Sequence, residues 1–386
     1  MFDVIIVFFI FIFGLLTPHF FIYDDERKYL KNLRLLWLVH VFFGVMYYFF
    51  TRNGGGDAWF YWVSSSKFTF DNFFETISKL EGTAFMVGLN SIFTQVLQLG
   101  FFANTMIYTY IGYLGIIFFY LFANRTIEYN FFLKKIPLFP WIFFLPNLHF
   151  WSSGLGKDSL LFFCIGGFFY SMLELKKRFI LLLFVIILSL LIRPHITLFL
   201  FLGISISLGF DYGVSVVRKI ILSFFFIGFG IIILPKVLSF TKIETLSVNS
   251  IDSKTSAQAE LLTDKAGSSV NVSSYPLPLK IATFLFRPTF TDINSLNALF
   301  AAFENLFLFI LFVKALRNKP LWAFKNSGFL LKAMLIYLII GSILFSMSLG
   351  NLGIMLRMRN MFLAPFLIYM LHSLSISFVR KQTSVK

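Results

Sequence analysis

Charge is what this chain of 386 residues has least of: Asp, Glu, Lys and Arg together make up 13% of it, against about 25% in a soluble domain. Hydrophobic residues make up 58%, more apolar surface than a soluble core of this length hides, so lipid is the solvent for much of the chain. Cysteine is nearly absent. Cys164 stands alone, which excludes an internal disulfide and a cysteine metal site. No HExxH or other metal spacing occurs, no Gly-Lys-Ser/Thr closes a phosphate loop, and no repeat of fixed period runs through the chain. Acidic residues are scarce too, leaving a net charge of +15. That excess does not mark a nucleic-acid partner, because the basic residues are scattered between apolar segments, where they set topology and meet anionic lipid headgroups.

What is present is a series of long apolar stretches. A crossing helix needs about 20 apolar residues. Eleven stretches approach this, at 2–22, 34–50, 104–124, 136–150, 159–174, 179–193, 195–211, 219–235, 294–314, 329–349 and 354–375. The fold class expected is therefore all-α: one polytopic transmembrane bundle over residues 1–386 with about eleven membrane helices. The stretch at 136–150 is short and carries Pro140 and Pro146, where it can break. The first stretch is followed by Asp24, Asp25, Glu26, Arg27 and Lys28. Those flanks are opposite to a cleaved signal peptide's, so it is expected to remain as a membrane helix.

Basic residues orient the bundle. With the N-terminus outside, the inner loops hold Arg27, Lys28, Lys31 and Arg34, then Arg125, Lys134 and Lys135, then Lys176, Lys177 and Arg178. Arg218 and Lys219 follow, then Lys314, Arg317, Lys319 and Lys325, and a cytoplasmic C-terminal tail with Arg380, Lys381 and Lys386. The short outer turns hold Lys157, Arg193, Arg357 and Arg359. This is the positive-inside pattern. Two long outer loops are expected, at 51–103 and 235–291. In the first, Glu81–Phe102 carries Asn90, Thr94, Gln95 and Gln98 and reads as an amphipathic helix in the outer interface or a re-entrant one. In the second, 251–274 reads as a polar loop. The apolar piece from Tyr275 to Pro288 is expected to dock on the membrane surface.

Chemistry is expected at the outer helix mouths, among Asp57, Lys157, Asp158, Arg193, His195, Arg287, Glu304, Arg357 and Arg359. Polar groups near the bilayer are costly and need partners or a water-filled cavity. Several cations on one face suit an anionic group such as a diphosphate, which arginine holds in a bidentate fork. Gly54-Gly55-Gly56-Asp57, followed by Tyr61, either frees the Asp57 carboxylate to act as a base or to bind sugar hydroxyls, or is a plain turn or helix cap. Trp151 through Ser159 forms a turn. There Asp158 is either a helix cap or a site residue, and Lys157 either snorkels to headgroups or meets phosphate at a helix N-terminus. Arg193-Pro194-His195 is a tight turn with proline suited to a first helical position. His195 is a candidate proton carrier, although a lone histidine is more often a hydrogen-bonded structural residue. Arg357 and Arg359 point to different sides of a helix start, so at least one faces the bundle. Glu304, deep in its helix, should be protonated or paired, with an arginine as the obvious partner.

Taken in order, Gly55-Gly56-Asp57 with Tyr61, Glu81-Gly82, Phe150-Trp151-Ser152 through Lys157-Asp158, Arg193-Pro194-His195, and Asn351-Leu352-Gly353 with Arg357 and Arg359 give a pattern that resembles the polytopic polymerases of bacterial surface polysaccharides, the O-antigen and exopolysaccharide polymerases. The resemblance implies glycosyl transfer outside the cytoplasmic membrane, from one polyprenyl-diphosphate-linked oligosaccharide to the next. By it, Arg193, Arg357 and Arg359 hold the lipid diphosphate with Lys157 nearby, and Asp57 orients or deprotonates the acceptor hydroxyl. Tyr61, Asp158, His195, Arg287 and Glu304 complete the expected substrate-binding set. It implies no metal or other cofactor. The expected partners are the lipid-linked oligosaccharide, membrane lipids and other polysaccharide-assembly proteins. The chain departs from the pattern in the loop before the 294–314 stretch, which carries no matching motif.

Two other functions compete. A transferase using a polyprenyl-phosphate sugar would carry an acidic pair in the first outer loop, whereas Asp57 stands alone until Asp71. A lipid-linked oligosaccharide flippase would show internal pseudo-repeats and several charges at mid-membrane; Glu304 and little else fits.

Overall fold

The computed structural model describes residues 2–68, 81–133, 135–241, 270, 272 and 274–383, with side chains for all of these except 241 and 377–383. Asp71, Lys134, most of the 251–274 stretch and the last three residues lie outside the described residues. Contacts divide the chain into two units, 1–124 with 143–193, and 125–142 with 194–386.

Among the described residues seven helices are long and apolar enough to cross a membrane: Phe2–Phe20, Asp24–Arg52, Phe101–Thr126, Val216–Phe240, Leu296–Arg317, Phe329–Ser348 and Leu352–Ile376. Each falls on an expected stretch. Three more stretches are helical but shorter, at Lys157–Leu173, Leu175–Ile192 and Pro194–Gly209. The stretch at 136–150 is not one helix. It breaks into a strand Ile136–Pro137, a turn of helix at Leu138–Trp141, a 3-10 turn at Ile142–Phe144 and the helix Pro146–Phe150. Phe139 is extended (φ −89°, ψ 130°), as a residue before proline prefers, and neither Pro140 nor Pro146 has an N–H to give.

In the first unit we name α1 (Phe2–Leu16), α2 (Leu30–Arg52), α3 (Ala58–Ser65), α4 (Thr83–Ser91), α5 (Phe101–Thr126), α6 (Pro146–Phe150), α7 (Lys157–Leu173) and α8 (Leu175–Ile192). From Ala103 to Ala123 helix α5 is buried on almost every side, as a helix apolar all round should be. Glycine lets it meet α7 closely: a Cβ on Gly166 would lie 2.9 Å from the Gly115 carbonyl oxygen, and one on Gly115 would lie 3.0 Å from the Phe163 Cα. Small residues at such contacts are what drives helix association in lipid.

The polar stretch after Glu81 does not present its polar face outward. Asn90 Nδ2 donates to Ser65 Oγ (2.8 Å), Gln95 Nε2 to the Ser65 carbonyl (2.8 Å), and Asn104 Nδ2 to Asn90 Oδ1 (2.9 Å). These amides are spent inside the protein. Helix α4 and the π turn Ile92–Val96 that continues it end at Gln98, whose φ is 49°. At 1.5 Å per residue the 83–96 segment is about 20 Å long, short of a ~30 Å hydrocarbon core.

The polar side chains of this unit collect at its two ends. One holds Tyr23, whose hydroxyl donates to Glu174 Oε2 (2.6 Å), with Arg178 2.5 Å from the same oxygen. Glu174 is accordingly held down at a pKa of about 2, first by the Tyr23 hydroxyl and then by Lys177. The other end holds the loops after α2 and before α7.

The second unit contains α9 (Pro194–Gly209), α10 (Val216–Thr241), α11 (Leu277–Phe286), α12 (Leu296–Arg317), α13 (Pro320–Asn326), α14 (Phe329–Ser348) and α15 (Leu352–Thr383). Helix α10 runs through Pro235 to Thr241, so the second long loop starts later than its proline suggested. Helix α11 packs against α12, α14 and α15 and buries Thr283 and Phe284. It was expected on the membrane surface. Lys332 is buried and lies 3.5 Å from Asp211, donating also to the Phe210 carbonyl (3.0 Å) at the end of α9.

Candidate functional site

The expected residues fall into both units, five in each. In the first, two glycine-bearing loops meet on one side chain. A Cβ on Gly56 would lie 3.8 Å from the Tyr47 hydroxyl, and one on Gly156 would lie 3.9 Å from it. Gly54 and Gly56 hold φ of 93° and 68°, which glycine alone takes without strain. Asp57 follows at the N-cap position of α3, exposed, with no capping hydrogen bond from its side chain. Its carbonyl accepts from Tyr61 N (3.0 Å), and the Tyr61 ring is buried. This removes Tyr61 from a solvent-facing substrate role.

Asp158 is not the cap of α7. Gly156 holds that position, and Asp158 sits buried in the first turn. Arg193 Nη2 approaches Asp158 Oδ1 to 3.6 Å, with the two side chains 11% and 4% exposed. Lys157 Nζ donates to Thr83 Oγ1 (2.9 Å), and Gly82 N donates to the Leu191 carbonyl (2.9 Å), so α4 is pinned between Lys157 and the end of α8. Lys157 therefore holds a hydroxyl instead of snorkelling. Asp57, Lys157, Asp158 and Arg193 thus belong to one run of contacts at one end of this unit. The sequence signalled all four; it did not signal Thr83 and Tyr47, which tie them together.

In the second unit Arg359 is 2% exposed. Nη1 donates to the Leu285 carbonyl (2.5 Å), and Nη2 to Asn305 Oδ1 (2.6 Å). Glu304, also buried, lies near enough to act on it electrostatically. Arg287 forks onto Asp292 (3.0 and 2.5 Å), which also accepts from Thr289 N (2.7 Å). The guanidinium holds Asp292 down at about 2, and the carboxylate raises Arg287 in return. Thr289 and Asp292 form a capping box, legible in the sequence as Thr-x-x-Asp. Arg287 and Arg359 are thereby spent on holding α11 and α12. Arg357, two residues earlier on α15, is half-buried. The His195 ring lies among Phe199, Phe240 and Phe345, with centroids 5.7–5.9 Å away.

Among the described residues no group of three or more His, Cys, Asp and Glu could hold a metal ion. A cavity of about 530 Å³ in the second unit is lined by Glu128, Tyr129, Trp322, Asn326 and His372. It contains none of the expected site residues. No family model, curated protein or solved structure matches the chain.

Proposed function

We propose that the chain polymerises polyprenyl-diphosphate-linked oligosaccharide units into a surface polysaccharide by glycosyl transfer at the outer face of a bacterial cytoplasmic membrane. The observation that carries this reading is the single run of contacts joining the loops of Asp57, Lys157 and Arg193 at one end of the first unit. Loops that carry a carboxylate, a lysine and an arginine at one end of the unit suit a reaction in which an acceptor hydroxyl attacks a sugar carbon and a lipid diphosphate leaves. Asp57 takes the hydroxyl proton, and Lys157 and Arg193 stabilise the charge that grows on the leaving phosphate. By the resemblance, Arg357 is also assigned to the lipid diphosphate.

In this reading the seven long helices, the three shorter ones and the broken 136–157 segment make eleven crossings, with the N-terminus outside and the C-terminus in the cytoplasm. The broken segment lies along α5 for part of its length. Its Phe143 ring meets Tyr120 (5.5 Å), and its Ser153 carbonyl accepts from Thr109 Oγ1 (2.5 Å); along α5 those levels are about 16 Å apart at 1.5 Å per residue.

Single replacement of Asp57, Arg193 and Arg357 by Ala, with polysaccharide length as the readout, tests the function. Loss of long chains with single units retained supports it, and normal length in all three sinks it. Accumulation of lipid-linked units on the inner face would instead indicate a flippase. A reporter fused after Ser253 should read as external; a cytoplasmic signal there breaks the orientation.

A further inference from the structure

Two histidines that carried no sequence signal face each other inside the first unit. His40 on α2 and His149 on α6 are both fully buried, and their Nδ1 atoms are 3.0 Å apart. His149 Nε2 lies 2.8 Å from the Phe143 carbonyl. A carbonyl oxygen only accepts, so His149 carries its proton on Nε2. Neutral His149 then offers a lone pair at Nδ1, and His40 must supply the N–H that joins the rings. Neutral His40 is left with a lone pair at Nε2.

That atom is buried without a hydrogen-bond partner. Its polar surroundings are backbone carbonyls: Thr109 and Ser152 act on the ring. A Cβ on Gly112 would sit 1.8 Å from the Ser152 oxygen and 3.1 Å from His40 Nε2. The absence of a side chain at Gly112 is what lets the carbonyl and the ring nitrogen lie side by side. The nearby hydroxyls donate elsewhere, Ser152 Oγ to the Leu148 carbonyl (2.5 Å) and Thr109 Oγ1 to the Ser153 carbonyl (2.5 Å). A lone pair facing carbonyl oxygens is repelled, whereas an added proton there is attracted to them. His149, with its Nδ1 3.0 Å away, is the titratable group that faces His40. From α5, Tyr113 brings a ring 6.4 Å away, with its hydroxyl given to the Leu33 carbonyl (2.7 Å). Tyr47, on the same helix as His40, turns its ring to Phe150 (5.5 Å).

The geometry points to His40 and His149 as a buried proton-binding site that couples proton occupancy to the loop at 151–158. A proton taken up at His40 Nε2 is shared with the Ser152 carbonyl and draws that loop towards α2. Lys157 and Asp158 lie at its far end. Irregular backbone in a membrane chain must be satisfied inside the protein, and here the histidine pair and its hydroxyl neighbours supply part of that satisfaction. The inference does not rest on glycosyl transfer, and its test reads no polysaccharide.

The test is NMR of the full-length protein in lipid nanodiscs, with nitrogen-15 in its five histidines and in the tryptophan indoles, from about pH 8 to pH 4. The expected result is a nitrogen–nitrogen coupling between the two rings, a His149 Nε2 protonated throughout, and one proton added with a midpoint common to both rings. The Trp151 indole, assigned by Trp151→Phe, should shift with that midpoint, and His40→Asn should abolish the shift. Separate midpoints for the two rings, or no protonation across the range, overturns the site. A Trp151 shift that persists in His40→Asn overturns the coupling. The wild-type spectra decide the first question even if the variant does not fold.

Discussion

Arg359→Ala should cost stability before it costs chemistry. The guanidinium is 2% exposed and joins three helices. It holds the Leu285 carbonyl at 2.5 Å and the Asn305 amide oxygen at 2.6 Å. Leu285 lies in the last turn of α11, whose final carbonyls have no partner within the helix, and Asn305 in turn holds the Pro288 carbonyl at 2.7 Å. A hydrogen bond from a charged donor contributes about 1.5–3 kcal/mol. Removing a buried charge also relieves its own desolvation, but it leaves both buried oxygens unpaired, and the net cost should be about 3 kcal/mol. Near that figure, the thermal midpoint of the detergent-solubilised protein should fall by about 4 °C. Arg359→Lys should lie between, because one ammonium cannot reproduce the guanidinium fork that meets both oxygens. The assay is thermal unfolding of purified variants alongside polysaccharide length at matched protein abundance. An Arg359→Ala protein with an unchanged midpoint and lost polymer would refute the reasoning and return Arg359 to the substrate.

Three further outcomes follow from local geometry. Gly112→Ala places a methyl 1.8 Å from a backbone oxygen and should lower the midpoint by the equivalent of about 1–3 kcal/mol or more, while Gly209→Ala, where a Cβ meets nothing within 4 Å, should not lower it. Asp292 has a folded pKa of about 2 against an ordinary 3.8, depressed chiefly by Arg287. Its contribution is therefore complete above the unfolded value and lost as pH falls through about 2. Wild type should exceed Asp292→Asn by of order 1 kcal/mol at neutral pH and converge with it in acid; a gap that stays constant down to pH 2 would count against the ion pair. Thr83→Val removes the acceptor of Lys157 and, on the proposed function, should alter polymer length with little change in midpoint. An effect on the midpoint alone would make this contact structural.

Some of this was legible residue by residue. Arg193-Pro194-His195 reads as a turn because proline's ring suits a helix start, and the helices do break there. Glu304 read as paired or protonated because a bare carboxylate at its depth is costly. Arg287 was expected at the substrate, and the Thr289-x-x-Asp292 box five residues on supplies the carboxylate it pairs with. His40 and His149, 109 positions apart, gave no signal at all, because nothing in a sequence relates two helices that only packing brings together.

The sequence by itself determined that the chain lives in lipid and where its long helices run, since both follow from apolar length and the placing of charge, which are additive along a chain. Tertiary structure alone decided which charges are available. Whether an arginine meets a ligand or a neighbouring carbonyl depends on what stands within about 3 Å of its nitrogens, and that is set by the packing of helices remote in sequence. It left Asp57 exposed, set Arg193 against Asp158, buried Arg359 against the Leu285 carbonyl, and joined His40 on α2 to His149 on a segment that fails to form one helix.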